Sequence, residues 1–189
     1  DLGQVLDVRM ALHGWYRPGP GDAGAWRLNR GLSGGGVLSD VGCHRLDLAA
    51  WWFGLPRRVV ADVATRTQDY GVEDSAYVLM ELAGGVRFSG SFLWNSKIRT
   101  DEIDIVGTEA TMTLRPCDGP GVTVTAGDTI RRHALPRPAN AHRPLIDEFA
   151  SAVIGDRPPE FTGPDGMRAT QIIDVIYESA QRRSWLELG

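Results

Sequence analysis

The sequence predicts an α+β fold, an open and mostly antiparallel β-sheet with helices packed on one face. Three observations predict it. Two-residue alternation fills the middle of the chain in runs separated by glycine-bearing turns, the pattern of strands joined as hairpins. Apolar residues spaced three and four apart are confined to one segment before most of these strands and two segments after them. Helical and strand patterns are therefore segregated rather than alternating as βα units, and segregated elements build antiparallel sheets with helices on one side. All of residues 1–189 read as one domain.

Residues 4–13 alternate, with Leu6, Val8, Met10 and Leu12 on one side and Asp7, Arg9, Ala11 and His13 on the other, as in a half-buried strand. The Gly/Pro-rich run 14–21 is a loop, and Trp26-Arg27-Leu28-Asn29-Arg30 follows it. Gly34-Gly35-Gly36 opens a helix and Gly54 closes it two residues before Pro56, with Leu38, Val41, Leu48 and Trp52 as its apolar stripe. Residues 58–67 alternate again. Runs 75–82 and 86–94 flank Gly84-Gly85, a strong hairpin signal. In the second run Val86, Phe88, Phe92 and Trp94 share a face, and Gly90 between them marks a bulge or a close approach by another group. Two more hairpins are predicted, 102–106 with 111–114 and 121–125 with 129–135. Leu145, Ile146, Phe149, Ala152 and Val153 make a helix from Pro144 to Gly155. Ala169, Ile172, Ile173, Ile176, Tyr177 and Ala180 make another, begun near Pro164-Asp165, where proline and an acid suit a first turn. Residues 185–188 read as a short closing strand.

The composition is 42% hydrophobic and 23% charged, with a net charge of −4. A balance that is slightly acidic gives no reason to expect nucleic acid or an anionic membrane as partner. No apolar run approaches the roughly 20 residues of a membrane helix, and no charged-then-apolar leader opens the chain. Cys43 and Cys117 are isolated thiols, which points to a reducing compartment, the cytoplasm. Lys97 is the only lysine. The chain starts at Asp1 directly on a strand pattern, which reads as a piece of something longer.

The chemistry concentrates on a second stripe of the first helix, Asp40, His44, Asp47 and Trp51. Asp40 and His44 are four apart and share a face one turn apart. A carboxylate so placed can hold an imidazole tautomer and raise its basicity, which suits acid–base work near neutrality. Gly42 between them costs about 1 kcal/mol against alanine mid-helix, a cost that makes sense if substrate or cofactor passes close there. The same spacing also describes an ordinary surface pair, worth only about 0.2–0.5 kcal/mol. The loop residues Arg17, Trp26 and Arg27 either line a ligand pocket or anchor the loop. Gly19-Pro20-Gly21-Asp22-Ala23-Gly24 fits G-x-G-x-x-G literally, but two prolines stand at its turn and no helical period follows, so it is no dinucleotide fingerprint. His13, His133 and His142 are scattered singly, and no metal-ligand set is predicted. Cys43 has no positive neighbour on its own face and reads as buried and inert.

Gly34-Gly35-Gly36-Val37-Leu38-Ser39-Asp40-Val41-Gly42-Cys43-His44-Arg45-Leu46-Asp47 resembles the G-G-G-x-x-x-D-x-G-x-H-x-x-D signature of the Gfo/Idh/MocA oxidoreductases. Similar segments follow in family order: Val72-Glu73-Asp74-Ser75-Ala76, Ile105-Val106-Gly107-Thr108-Glu109-Ala110, Phe161-Thr162-Gly163-Pro164-Asp165-Gly166 and Tyr177-Glu178-Ser179-Ala180. Together they match the family's C-terminal domain. The resemblance implies an open sheet used for homo-oligomer contacts. It also implies a Rossmann domain upstream of Asp1 that carries a catalytic lysine and holds most of the NAD or NADP. On this reading His44 is the acid–base residue for a sugar, polyol or cyclitol CH–OH group. Asp40 orients it or binds a neighbouring hydroxyl. Loop position adds Arg17, Trp26 and Arg27 as candidates for the substrate wall. The chain alone is then expected to be inactive. The alternative is a non-catalytic binding or oligomerisation module of the same fold.

Overall fold

Among the described residues, alternation and glycine turns give nine strands: β1 (Val5–Trp15), β2 (Arg58–Ala64), β3 (Ser75–Glu81), β4 (Arg87–Leu93), β5 (Asn95–Gly107), β6 (Thr111–Leu114), β7 (Gly121–Ala126), β8 (Thr129–Ala134) and β9 (Leu186–Glu187). The helices are α1 (Arg30–Ser33), α2 (Cys43–Phe53), α3 (Arg143–Ile154) and α4 (Gly163–Arg182). This is a computed structural model, and it describes residues 1–188. The strands form one open sheet in the order β8-β7-β6-β5-β1-β4-β3-β2-β9. Every neighbouring pair is antiparallel except β1 with β4, which run parallel at its centre. The α+β class and the open sheet are therefore as the residues predict.

One face of the sheet carries the core. Val8 and Met10 of β1, Phe88 and Phe92 of β4 and Ile103 of β5 are fully buried there, under Leu38, Leu46, Ile172 and Ile176 of the helical layer. Leu6 departs from the predicted face, 45% exposed, because the pairing of β1 with β5 shifts register between Val5 and Asp7. Gly90 is no bulge, since its pairing with β1 and β3 is continuous. A Cβ there would stand 3.0 Å from the rings of both Phe88 and Phe92, so the two aromatics fold over the space a side chain would need. Helix α4 starts with a capping box between Thr162 and Asp165. It is tied to β2 by Ala61 N–H donating to Ser179 Oγ at 3.2 Å.

Between β2 and β3 the chain is locked by Asp74, which is fully buried. Its carboxylate accepts from the backbone N–H groups of Arg66, Thr67 and Gln68 at 2.8–2.9 Å and from the Ser75 hydroxyl. Burial pushes the Asp74 carboxyl up, but these donors together outweigh it and hold the group below its ordinary value. Glu73, which precedes it, is thereby delivered to the helical layer.

Two faces lack cover. On the sheet's outer side Tyr77 and Leu79 stand half exposed, and Ala11, Val60, Ser89 and Ser91 complete an open groove of about 650 Å³. Helix α3 has the predicted amphipathic stripe, but only Ala152 is buried, and Leu145, Ile146, Phe149 and Val153 are exposed. Among the described residues no helix is long and apolar enough to cross a membrane.

Candidate functional site

Two of the three glycines before α2 do distinct jobs. Gly34 takes a left-handed conformation, φ 78°, and ends α1. Gly36 is buried against the backbone of Glu73, too close for any Cβ. The chain then winds as a π-turn over Leu38–Gly42 before α2, closed by Cys43 N–H donating to Leu38 O. A regular α-helix is what the spacing of Leu38, Val41, Leu48 and Trp52 predicts; the extra residue in the π-turn moves the buried face. Leu38, Gly42, Leu46 and Ala49 point into the core, while Val41, Leu48 and Trp52 are only partly buried. π-turns inside helices cost stability and recur at functional sites. Gly42 is explained by packing: a Cβ there would meet Leu38 Cδ1 at 3.2 Å and the Phe92 ring at 3.4 Å. The space next to Gly42 is filled by the core, not left for a ligand.

Asp40 and His44 leave this helix on its outer side. No hydrogen bond joins them among the described residues. The Asp40 carboxylate instead accepts from Arg27 Nε at 2.7 Å, in an ion pair whose side chains are 34% and 26% exposed. That hydrogen bond holds the Arg27 guanidinium more firmly in its charged form. The same guanidinium lies 4.6 Å from the centre of the Trp26 ring, which is itself half exposed. Trp26, Arg27 and Asp40 are thus brought together. Arg17 is not part of that group; it holds Asp69 with one nitrogen at 3.0 Å from each carboxylate oxygen. His44 is exposed and lines an open groove of about 570 Å³ between α2 and α4, with Ser39, Cys43, Asp47, Thr170 and Tyr177. Through Asp47 and Gly166 it adjoins a second hollow of about 380 Å³ at Trp51 and Phe161. Next to His44, Arg45 donates to Asp101 of β5 at 2.6 Å, a nearly buried pair that fastens α2 to the sheet.

The loop before α1 is held by aromatic packing. The Tyr16 ring lies 4.5 Å from that of Trp94, and its hydroxyl donates to Gly24 O at 2.9 Å. Within the loop the glycine run offers no anion cradle. Gly19 N–H donates to Asp22 Oδ2 at 2.7 Å, and the run passes into a single 3₁₀ turn, Ala25–Leu28, in place of a helix. A phosphate would meet a carboxylate there, so the described residues do not fit the pyrophosphate of a dinucleotide. Among the described residues there is also no cluster of three or more His, Cys, Asp or Glu side chains able to hold a metal. Burial pushes the Cys43 thiol up, which keeps it protonated and unreactive.

Glu73 and Tyr177 are the residues near the site whose part only the structure reveals. Their segments stand out in the sequence, but nothing local says that a carboxylate between two strands and a phenol near the C-terminus meet at the first turn of a distant helix.

A family model described as the GFO/IDH/MocA C-terminal domain matches residues 1–113, which include the π-turn, Asp40 and His44. The chain is 28% identical to D-xylose 1-dehydrogenase (NADP(+)) 2 of Haloferax volcanii, covering all of this chain and 58% of that protein. It is 30% identical to 1,5-anhydro-D-fructose reductase of Ensifer adhaerens, with the same coverage of 100% and 58%. The chain therefore spans little more than half the length of these relatives. Among solved structures, aldose-aldose oxidoreductase of Caulobacter crescentus in complex with glycerol superposes with a TM-score of 0.85 at 25% identity, over 99% of this chain and 56% of that one.

Proposed function

The chain belongs to the GFO/IDH/MocA family, and from that premise we propose that it is the substrate-binding, catalytic C-terminal domain of an NAD(P)-dependent oxidoreductase. The substrate is a sugar, polyol or cyclitol oxidised at a CH–OH group. The observation that carries this reading is the outward presentation of Asp40 and His44 on one π-wound helix, with Arg27 and Trp26 drawn to Asp40. His44 takes the hydroxyl proton as the carbinol carbon is oxidised and returns it in the reverse direction. Its exposure leaves the imidazole free to reach a substrate, and among the described residues no competing hydrogen bond has to be broken. Arg27 fixes the Asp40 carboxylate in one orientation, leaving its second oxygen to accept from a neighbouring hydroxyl of the substrate. Trp26 offers an apolar ring face to the sugar. The hydride acceptor is NAD or NADP, held by an upstream nucleotide-binding domain that the length of the relatives accommodates.

The Asp40–Arg27 pair favours one second reading, a binding or assembly module in which both residues are structural. Assaying the protein with its upstream region against neutral sugars and polyols, with NAD and with NADP, separates the two. Nicotinamide reduction with at least one pair supports the enzyme. Tight sugar binding with no reduction by any pair supports the module.

The outer sheet face is assigned to a second copy of the chain. Tyr77 and Leu79 form its apolar centre, and the open groove around them suits a self-complementary contact. Leu79→Arg, which buries a charge in such a contact, is expected to turn an oligomer into a smaller species in sedimentation velocity. A parent protein that already sediments as a monomer at micromolar concentration overturns the assignment.

A further inference from the structure

Four successive residues at the start of the helix are held by two partners, three by Glu73 and the fourth by Tyr177. Gly36 N–H donates to Glu73 Oε1 at 2.8 Å and Leu38 N–H donates to it at 3.3 Å. Val37 N–H donates to the Glu73 carbonyl oxygen at 3.1 Å. The Ser39 hydroxyl lies 2.8 Å from the Tyr177 hydroxyl, which in turn donates to Glu73 Oε1 at 2.7 Å. The polarity runs one way, from Ser39 to Tyr177 to Glu73, and it ends on a carboxylate that is only 5% exposed. Burial and the nearby Glu73 charge push the Tyr177 hydroxyl up, so it stays protonated and keeps donating.

These N–H groups have no partner within a helix, because the first turn of any helix leaves its donors free. A buried carboxylate at that end also meets the positive pole of the helix dipole. The far end of the π-turn is pinned separately, by Gly42 against Phe92 and by Arg45 on Asp101. A π-turn holds one residue more than an α-turn and would relax if either end could slide. With both ends fixed it cannot, and Asp40 lies between the two anchors.

We propose that Glu73, with Tyr177 as its relay, is a positioning residue for the acid–base helix: its buried carboxylate sets the frame of the π-turn and so the placement of Asp40 and His44. This rests on the enzymatic reading above. Glu73 is buried and acts through the helix; Tyr177, which also lines the groove beside His44, relays between Ser39 and Glu73.

The test compares E73Q, Y177F and H44A in the protein with its upstream domain. Y177F keeps the Glu73 contacts to the backbone and covers the case in which E73Q does not fold. Misplacement of the helix predicts a fall in kcat of about 10- to 100-fold in E73Q and a smaller fall in Y177F, with KM within about threefold of the parent. The limb of the kcat/KM pH profile that disappears in H44A is also expected to move in both variants. A merely structural role lowers the unfolding temperature and leaves both readouts unchanged. Folded E73Q and Y177F with kcat within about twofold of the parent and an unmoved pH profile overturn the positioning role while H44A is still impaired. Unimpaired H44A overturns the acid–base reading, and the positioning role with it.

Discussion

Replacing His44 by alanine is expected to lower turnover of the full protein by about 100-fold or more, the range of a lost acid–base group. The effect belongs to chemistry because His44 has little structural work to lose. It is exposed, and no hydrogen bond to its imidazole occurs among the described residues. Removing such a side chain should change stability by only about 0.5 kcal/mol. The measurement is therefore paired: steady-state kcat/KM, and thermal unfolding on the same sample. Strong loss of rate with an unchanged melting curve assigns the proton step to His44. Near-normal rate removes His44 from the mechanism and returns the Asp40–Arg27 pair to a structural part.

The second large effect is on stability and comes from Gly36→Ala. A Cβ at Gly36 would overlap the Glu73 carbonyl oxygen and stand 2.9 Å from its nitrogen and 3.0 Å from its carbonyl carbon. All three are backbone atoms, so no side-chain rotation relieves the clash. They also belong to the residue that holds the helix start. The cost is expected at the top of the usual overpacking range, roughly 3 kcal/mol, or a melting temperature lower by about 6–12 °C for a chain of this size. Gly34→Ala is the control. Its Cβ would meet nothing within 4 Å, and the cost is the left-handed backbone alone, roughly 1–2 kcal/mol. Equal destabilisation by the two variants would mean that the close approach of Glu73 is not what requires a glycine at position 36.

Much of this structure is local and was legible as such. Gly84 and Gly85 both take positive φ in the turn between β3 and β4, which is what a Gly-Gly pair between two alternating runs predicts. Gly127 does the same between β7 and β8. Pro164 and Asp165 mark the first turn of α4, which begins at Gly163. The stripe on α3 was equally legible. Its exposure was not, because periodicity says which side of a helix is apolar and nothing about whether a partner covers it.

Alternation, helical spacing and turn residues act over a few neighbouring positions, so the residues alone lead to the segregated α+β class, the strands and their hairpins, and a helical segment carrying Asp40 and His44. Folding alone sets β1 parallel to β4 at the sheet centre, opens the helix as a π-turn and brings Arg27 onto Asp40. The same packing lets Glu73 and Tyr177 hold the first turn. Each of these depends on groups far apart in the chain, 104 positions in the case of Glu73 and Tyr177. Such contacts form only when the core closes, because burial lets a carboxylate, a phenol and free helix N–H groups satisfy one another away from water.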